Sequence, residues 1–150
     1  MDELQFQIRQ ATLIDLPQII GILTKVGLPI EGLTGHIKNF FVAESNGDIV
    51  GVCGIEKLDE YGLLRSTAVV KSFRHQGIGR KLVETTVEYA REKGLKELYL
   101  LTPSKKDYFA YLGFEPVDRE TAPPKIKETQ EFTELCVDAD CMRLVLLRDG

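Results

Sequence analysis

Apolar and polar side chains alternate over residues 4–9, Leu4-Gln5-Phe6-Gln7-Ile8-Arg9, which is the period-two pattern of a half-buried strand. Thr12 follows as a helix N-cap with Asp15 three residues on, a relative of the capping box. Leu16, Ile19, Ile20 and Leu23 then recur at the i, i+3, i+4, i+7 spacing of one buried helical face. Gly27 and Pro29 end that helix, because glycine accepts the left-handed C′ position and proline cannot continue the ladder. Residues 31–38 read as a short second helix. Apolar runs at residues 40–44 and 49–55 flank Asn46-Gly47, which predicts a β-hairpin. A further strand is expected over residues 63–70, after a polar loop at residues 59–62. The first half is thus an antiparallel meander fronted by a helix.

The period changes near residue 78. Ile78, Leu82, Thr86, Tyr89 and Ala90 share one side of a predicted helix over residues 78–93, while Arg80, Glu84, Glu88 and Arg91 fall elsewhere. Gly94 caps its end, and residues 97–102, Glu-Leu-Tyr-Leu-Leu-Thr, form a short buried strand. Strand, long helix and strand over residues 63–102 make one βαβ unit, whose crossover requires parallel strands. A short helix near 105–112, a strand at 114–117, a helix around 124–135 and a last strand at 142–147 complete the pattern. The expected fold class is α+β, with a mixed, mostly antiparallel sheet of six to seven strands and about four helices. The 150 residues carry no composition break, so one domain over residues 1–150 is expected.

Composition narrows the partners. Hydrophobic residues make up 43%, enough for a core, and the net charge of −4 argues against nucleic acid or an anionic membrane surface. Met1-Asp2-Glu3-Leu4 lacks the basic-then-apolar order of a secretory leader, and there is no run of about 18 apolar residues to span a bilayer. Cys53, Cys136 and Cys141 are too few and odd in number for a disulfide frame, which points to reduced thiols and a cytoplasmic location.

The chemistry concentrates in Arg74-His75-Gln76-Gly77-Ile78-Gly79-Arg80, between a strand and the longest helix. Two glycines at a helix N-terminus let the backbone approach a ligand, and free amides and the helix dipole favour an anion. Arg74, His75, Arg80 and Lys81 add positive charge, so a pyrophosphate suits the loop, although two glycines can also merely turn a chain. A nucleotide P-loop is excluded, because Gly77-Ile78-Gly79-Arg80-Lys81 does not supply G-x-x-x-x-G-K-[ST]. A dinucleotide fingerprint fails as well, because its third glycine would fall at Leu82.

Arg74 to Gly79 read as R-x-x-G-x-G after the apolar strand that ends in Ala68-Val69-Val70, and this closely resembles the acetyl-CoA motif of the GNAT superfamily. Tyr108-Phe109-Ala110-Tyr111-Leu112-Gly113-Phe114 resembles that family's helix followed by "GF", and the resemblance spans about residues 5–147. Gly27-Leu28-Pro29, Leu63-Leu64-Arg65-Ser66, Tyr99-Leu100-Leu101-Thr102 and Glu131-Phe132-Thr133-Glu134-Leu135-Cys136 are similar to the arsenic-resistance N-acetyltransferases, relatives of short amino-acid N-acetyltransferases. The resemblance implies a GNAT fold whose central parallel strands, here residues 63–70 and 97–102, splay apart to admit the pantetheine of acetyl-CoA. It implies that Val69 and Val70 meet pantetheine through their main chain, and that Arg74, His75, Gln76, Gly77, Ile78, Gly79 and Arg80 hold the pyrophosphate. Thr102 aligns with a family asparagine, and Phe109 stands where the family usually has a tyrosine that protonates the departing thiolate. Tyr108, Tyr111 or solvent is then the expected proton donor, with Tyr108 put forward.

The implied activity is direct acetyl transfer from acetyl-CoA to an amine. An α-amino group has an unperturbed pKa of about 7.7–8.0, so a weak base working through water suffices. Glu56 is the first candidate and Glu44 the second, each set against the plainer reading of a solvated charge. Arg65 lies in a mostly apolar strand, where a guanidinium is costly unless paired, so it meets either a substrate carboxylate or arsenical oxyanion, or an internal salt bridge. Cys136 and Cys141, four residues apart and without a neighbouring histidine, do not make a zinc site; they read as buried thiols, with arsenite binding as the alternative. The expected partners are acetyl-CoA and a small amine acceptor, without metal, and self-association as a homodimer stays open. A protein N-terminus, a lysine or another amine as acceptor, and a non-catalytic CoA-binding sensor, are the competing functions.

Overall fold

The computed structural model describes residues 5–146; Leu4 of the first predicted strand and Leu147 of the last lie outside the described residues. Among them, seven strands form one open sheet: β1 (Gln7–Gln10), β2 (Phe40–Ser45), β3 (Asp48–Leu58), β4 (Tyr61–Val69), β5 (Glu97–Thr102), β6 (Glu115–Val117) and β7 (Asp140–Val145). Their order is β1-β2-β3-β4-β5-β7-β6, with β4 and β5 parallel, and with β1–β2, β2–β3, β5–β7 and β6–β7 antiparallel. The helices are α1 (Leu16–Val26), α2 (Leu33–His36), α3 (Ile78–Glu92), α4 (Lys106–Tyr111) and α5 (Pro124–Lys127). The expected α+β architecture, a mixed and mostly antiparallel sheet with helices, is therefore the one observed. Among the described residues, no helix is long and apolar enough to cross a membrane.

Residues 5–55 and 66–86 form one compact unit. The buried face of α1, Ile19 and Leu23, packs with Leu33, Ile37, Phe40, Val42, Val52 and Ala68, as the i, i+4 spacing requires. Gly27 ends the helix in the left-handed conformation. Asn46 and Gly47 both take positive φ, which is how a two-residue hairpin joins β2 to β3. Gly51 of β3 lets α3 come close, since a Cβ there would lie 2.9 Å from Leu82 Cδ1.

The start of α1 is tied to β1 by charge. Arg9 Nη1 and Nη2 donate to the two carboxylate oxygens of Asp15 at 2.8 Å each, and Nη2 also reaches Glu44 Oε2 at 2.8 Å. Asp15 in turn accepts the Thr12 amide at 2.8 Å, closing the predicted box. Hydrogen bonding to Arg9 lowers the Asp15 carboxyl to about 2. A carboxyl depressed on folding adds stability above its unfolded pKa of about 3.9, and that stability drains away as the pH falls towards the folded value. Asp15→Asn is therefore expected to cost roughly 1–3 kcal/mol at neutral pH and almost nothing near pH 2, as read from urea midpoints across that range.

Residues 56–65 and 87–146 belong to the other compact unit. β5 pairs with β4 in register Tyr61↔Glu97, Gly62↔Leu98 and Leu63↔Tyr99, and with β7 from Glu97↔Val145 to Thr102↔Asp140. Leu63, Tyr99, Ala122, Ile126, Phe132 and Cys141 make its core. The predicted helix over residues 124–135 is instead α5 followed by a single π-helical turn at Glu131–Leu135. Thr129 causes the break: its hydroxyl donates to Ile126 O at 2.7 Å and accepts the Phe132 amide at 3.4 Å, diverting groups a continuous helix would pair.

Candidate active site

The segment after β4 turns in two steps. Lys71–Phe73 form a 3-10 turn, then His75 (φ 65°) and Gly77 (φ 85°) both take left-handed backbone before α3 begins. The Lys81 amide donates to Gly77 O at 3.1 Å, so the amides of Ile78 and Gly79 precede the intrahelical ladder of α3. Arg74, His75, Gln76, Gly77 and Arg80 are exposed, Gly79 is half-buried, and Ile78 is buried beneath the turn as the apolar anchor of the helix. The loop thus offers outward amides, a helix N-terminus and cationic side chains to an anion.

The main chain at the end of β4 is already engaged. The Val70 amide donates to Val50 O and its carbonyl accepts from Phe73, both at 2.8 Å. Val69 O accepts Arg74 Nε at 2.9 Å, so the arginine expected to face a pyrophosphate is folded back on the strand end. For Val69 O to meet pantetheine in its place, Arg74 must swing outward, which its exposure permits.

Glu56 and Arg65, picked from the sequence for different roles, are partners. Arg65 Nη1 lies 2.9 Å from Glu56 Oε1, and their side chains are 5% and 10% exposed. A second carboxyl, Glu131, lies 3.6 Å from the same nitrogen and is 7% exposed. The plainer reading of Glu56 as a solvated charge is corrected: it is buried because β3 carries it next to Arg65 of β4. Of the two readings of Arg65, the ion pair is the arrangement present. Burial, followed by the neighbouring Glu56, pushes the Glu131 carboxyl above the ordinary range. Glu44 is likewise paired, with Arg9.

Thr102 is buried at the end of β5, and its hydroxyl accepts the Lys105 amide at 2.9 Å, which bends the chain into α4. On α4, Phe109 is buried and packs edge-to-face on Phe114, ring centroids 5.9 Å apart. Tyr108 and Tyr111 flank it on the exposed side, and Tyr108 keeps an edge contact with the Phe109 ring at 5.2 Å. Burial raises the Cys136 thiol and pushes Cys141 up to about 11, which disfavours their thiolate forms. No group of three or more His, Cys, Asp or Glu side chains able to hold a metal ion occurs among the described residues.

Residues 36–116, more than half of the chain, match the family model of the acetyltransferase (GNAT) domain. The chain belongs to the GNAT acetyltransferase family. An uncharacterised N-acetyltransferase of Chlorobaculum tepidum is 38% identical over 101 residues, covering 65% of this chain and 63% of that protein. The amino-acid acetyltransferase of Pseudomonas fluorescens is 33% identical over 129 residues, 79% of this chain but 30% of that protein. The matches therefore span less than two thirds of either relative. In fold, the chain is like N-acetylglutamate synthase from Neisseria gonorrhoeae complexed with coenzyme A and N-acetyl-glutamate, with TM-score 0.84 and 23% identity over 98% of this chain and 36% of that one.

Within this GNAT domain, Glu131 is the residue that reading the sequence missed. It stands in a polar stretch, Glu128-Thr129-Gln130-Glu131, where a carboxylate looks solvated. Its burial comes from the π turn, which hydrophobic periodicity does not reveal.

Proposed function

We propose that this chain transfers the acetyl group of acetyl-CoA to the amino group of a small amino-acid-like acceptor. The observation that carries the reading is the exposed anion cradle at the start of α3, in a member of a family of acetyltransferases. The amides of Ile78 and Gly79, the left-handed Gly77, the cations Arg74, Arg80 and Lys81, and the exposed His75 beside them fit the pyrophosphate of the donor. The names of the amino-acid acetyltransferase relatives support an amino acid as the acceptor.

In the proposed reaction the neutral amine attacks the thioester carbonyl, a C–N bond forms and the C–S bond breaks. The amine proton leaves to a base, for which Glu56 is the proposed group, and the thiolate regains a proton from Tyr108 or from water. A thiol of ordinary pKa near 8.5 is a competent leaving group, which suits a site with Phe109 in the usual tyrosine position. An amino-acid-like arsenical is the narrower acceptor proposed from the resemblance to arsenic-resistance N-acetyltransferases, and the cytoplasm, with reduced thiols, is the proposed setting.

Thiol release from acetyl-CoA tests this against a panel of free amino acids, amino-acid-like arsenicals, peptides and other amines. Release that depends on a free amino acid or its arsenical analogue is the expected result. A melting temperature raised by acetyl-CoA with no release for any amine would replace the reading with a CoA-binding sensor.

A further inference from the structure

The buried cluster of Glu56, Arg65 and Glu131 has more carboxyls than cations. Two side chains 10% and 7% exposed face one guanidinium 5% exposed, so the fully ionised cluster would carry a net buried negative charge. Such a charge is costly in a dry interior, and a proton is the cheapest remedy. Geometry says where it sits. Arg65 Nη1 is within hydrogen-bond distance of Glu56 at 2.9 Å, but 3.6 Å from Glu131, too far for a good bond. Glu131 Oε2 is buried without a hydrogen-bond partner, which an ionised oxygen tolerates badly and a neutral acid far better. Glu56 and Glu131 face the same nitrogen, Arg65 Nη1, so two carboxylates there would repel each other at short range in a dry interior, and a proton on one of them removes that repulsion.

We infer that Glu131 is a positioning residue whose buried carboxyl holds a proton shared with Glu56, and that this proton fixes the Glu56–Arg65 pair in place. It rests on the proposed acetyl transfer only for its consequence in catalysis, since the shared proton belongs to the fold whatever the reaction. The direction in which burial and Glu56 move Glu131 agrees with it. The groups facing Glu131 are Glu56 from β3, Arg65 from β4 and the Cys136 thiol beyond the π turn. Arg119 is spent nearby on the carbonyls of Phe132, Cys136 and Ala139. Among the described residues, Arg65 is the cation that ion-pairs with Glu131.

The sign of the pH effect follows. The folded state keeps the Glu131 proton to higher pH than the unfolded chain, whose glutamates release theirs near 4.3. From there upward the folded state binds more protons, so stability falls with rising pH and levels off once folded Glu131 is ionised. Denaturation should release about one proton more from the wild type than from Glu131→Gln in this window, since the amide keeps a donor towards Glu56 but cannot titrate. The infrared spectrum of the folded wild type at neutral pH should show a protonated carboxyl stretch that Glu131→Gln lacks. If that variant fails to fold, the wild-type band alone decides, and its absence overturns the proposal. Equal proton release from the two proteins overturns it as well.

With an acetylated acceptor in hand, the wild-type kcat/KM for that acceptor should decline as Glu131 ionises, and Glu131→Gln should remove that decline while leaving the KM for acetyl-CoA within about twofold of the wild type. The same decline in both proteins would take the catalytic role from Glu131. Proton linkage without acetylation of any amine would sink the proposed function and leave the shared proton standing.

Discussion

Arg65→Met is expected to be among the most damaging single changes in this protein, costing about 3–5 kcal/mol of stability at neutral pH. Methionine fills much of the volume but removes the cation that both Glu56 and Glu131 face, so the two buried carboxyls lose the Arg65 charge. The loss is electrostatic, so it is expected to shrink on acidification, when both carboxyls can be neutral. It should also shrink in the double variant Arg65→Met, Glu56→Gln, since one surviving carboxyl is easily kept protonated. Urea midpoints for wild type, two singles and the double at pH 5 and 8 form the test. A loss below about 1 kcal/mol for Arg65→Met would mean that the cluster is well hydrated. Arg65→Lys separates shape from charge, because lysine keeps the cation but presents a point charge in place of the planar fork. If Arg65 also meets the acceptor, that variant should raise the acceptor KM more than its modest stability loss accounts for, and should leave the KM for acetyl-CoA alone.

This cluster marks where sequence reasoning ran out. Arg65 was conspicuous because a guanidinium between Leu64 and Ala68-Val69 must be paired, and a pair is what it has. Its partners were not, because nothing in one-dimensional spacing says that β3 delivers Glu56 beside it, or that Thr129 breaks a helix so that Glu131 turns inward. Strong local signals carried further. Asn46-Gly47 specified a hairpin through two positive φ angles, and the switch from period two to period 3.6 at Ile78 located α3 to within a residue. The parallel β4–β5 pairing followed from the length of the crossover. The glycine loop was legible for the same reason, since a glycine before a helix is a backbone statement. The reuse of Val69 O by the Arg74 side chain was not, because it depends on a rotamer.

The second large effect is expected at Gly77. A Cβ placed there meets no heavy atom within 4 Å, so the site has room, and what it demands is the left-handed φ of 85°. A β-branched residue is strained in that conformation by roughly 1–3 kcal/mol, and an exposed loop can relieve the strain by rearranging. In Gly77→Val the free protein should therefore melt close to the wild type, while the amides of Ile78 and Gly79 lose their common aim. Acetyl-CoA at a hundred times its dissociation constant stabilises a folded protein by about 2.7 kcal/mol, and most of that gain should vanish in the valine variant at the same concentration. Asparagine enters the left-handed region far more readily, so Gly77→Asn should retain the greater part of the shift. The comparison separates two causes that the sequence alone leaves merged. If valine and asparagine abolish the shift equally, the donor needs the bare backbone of Gly77 and no side chain at all. If both retain it, the loop is not where the donor binds, and the cradle before α3 is only a turn. Asparagine retaining what valine loses would establish that φ at Gly77 is what makes a helix N-terminus into a pyrophosphate site.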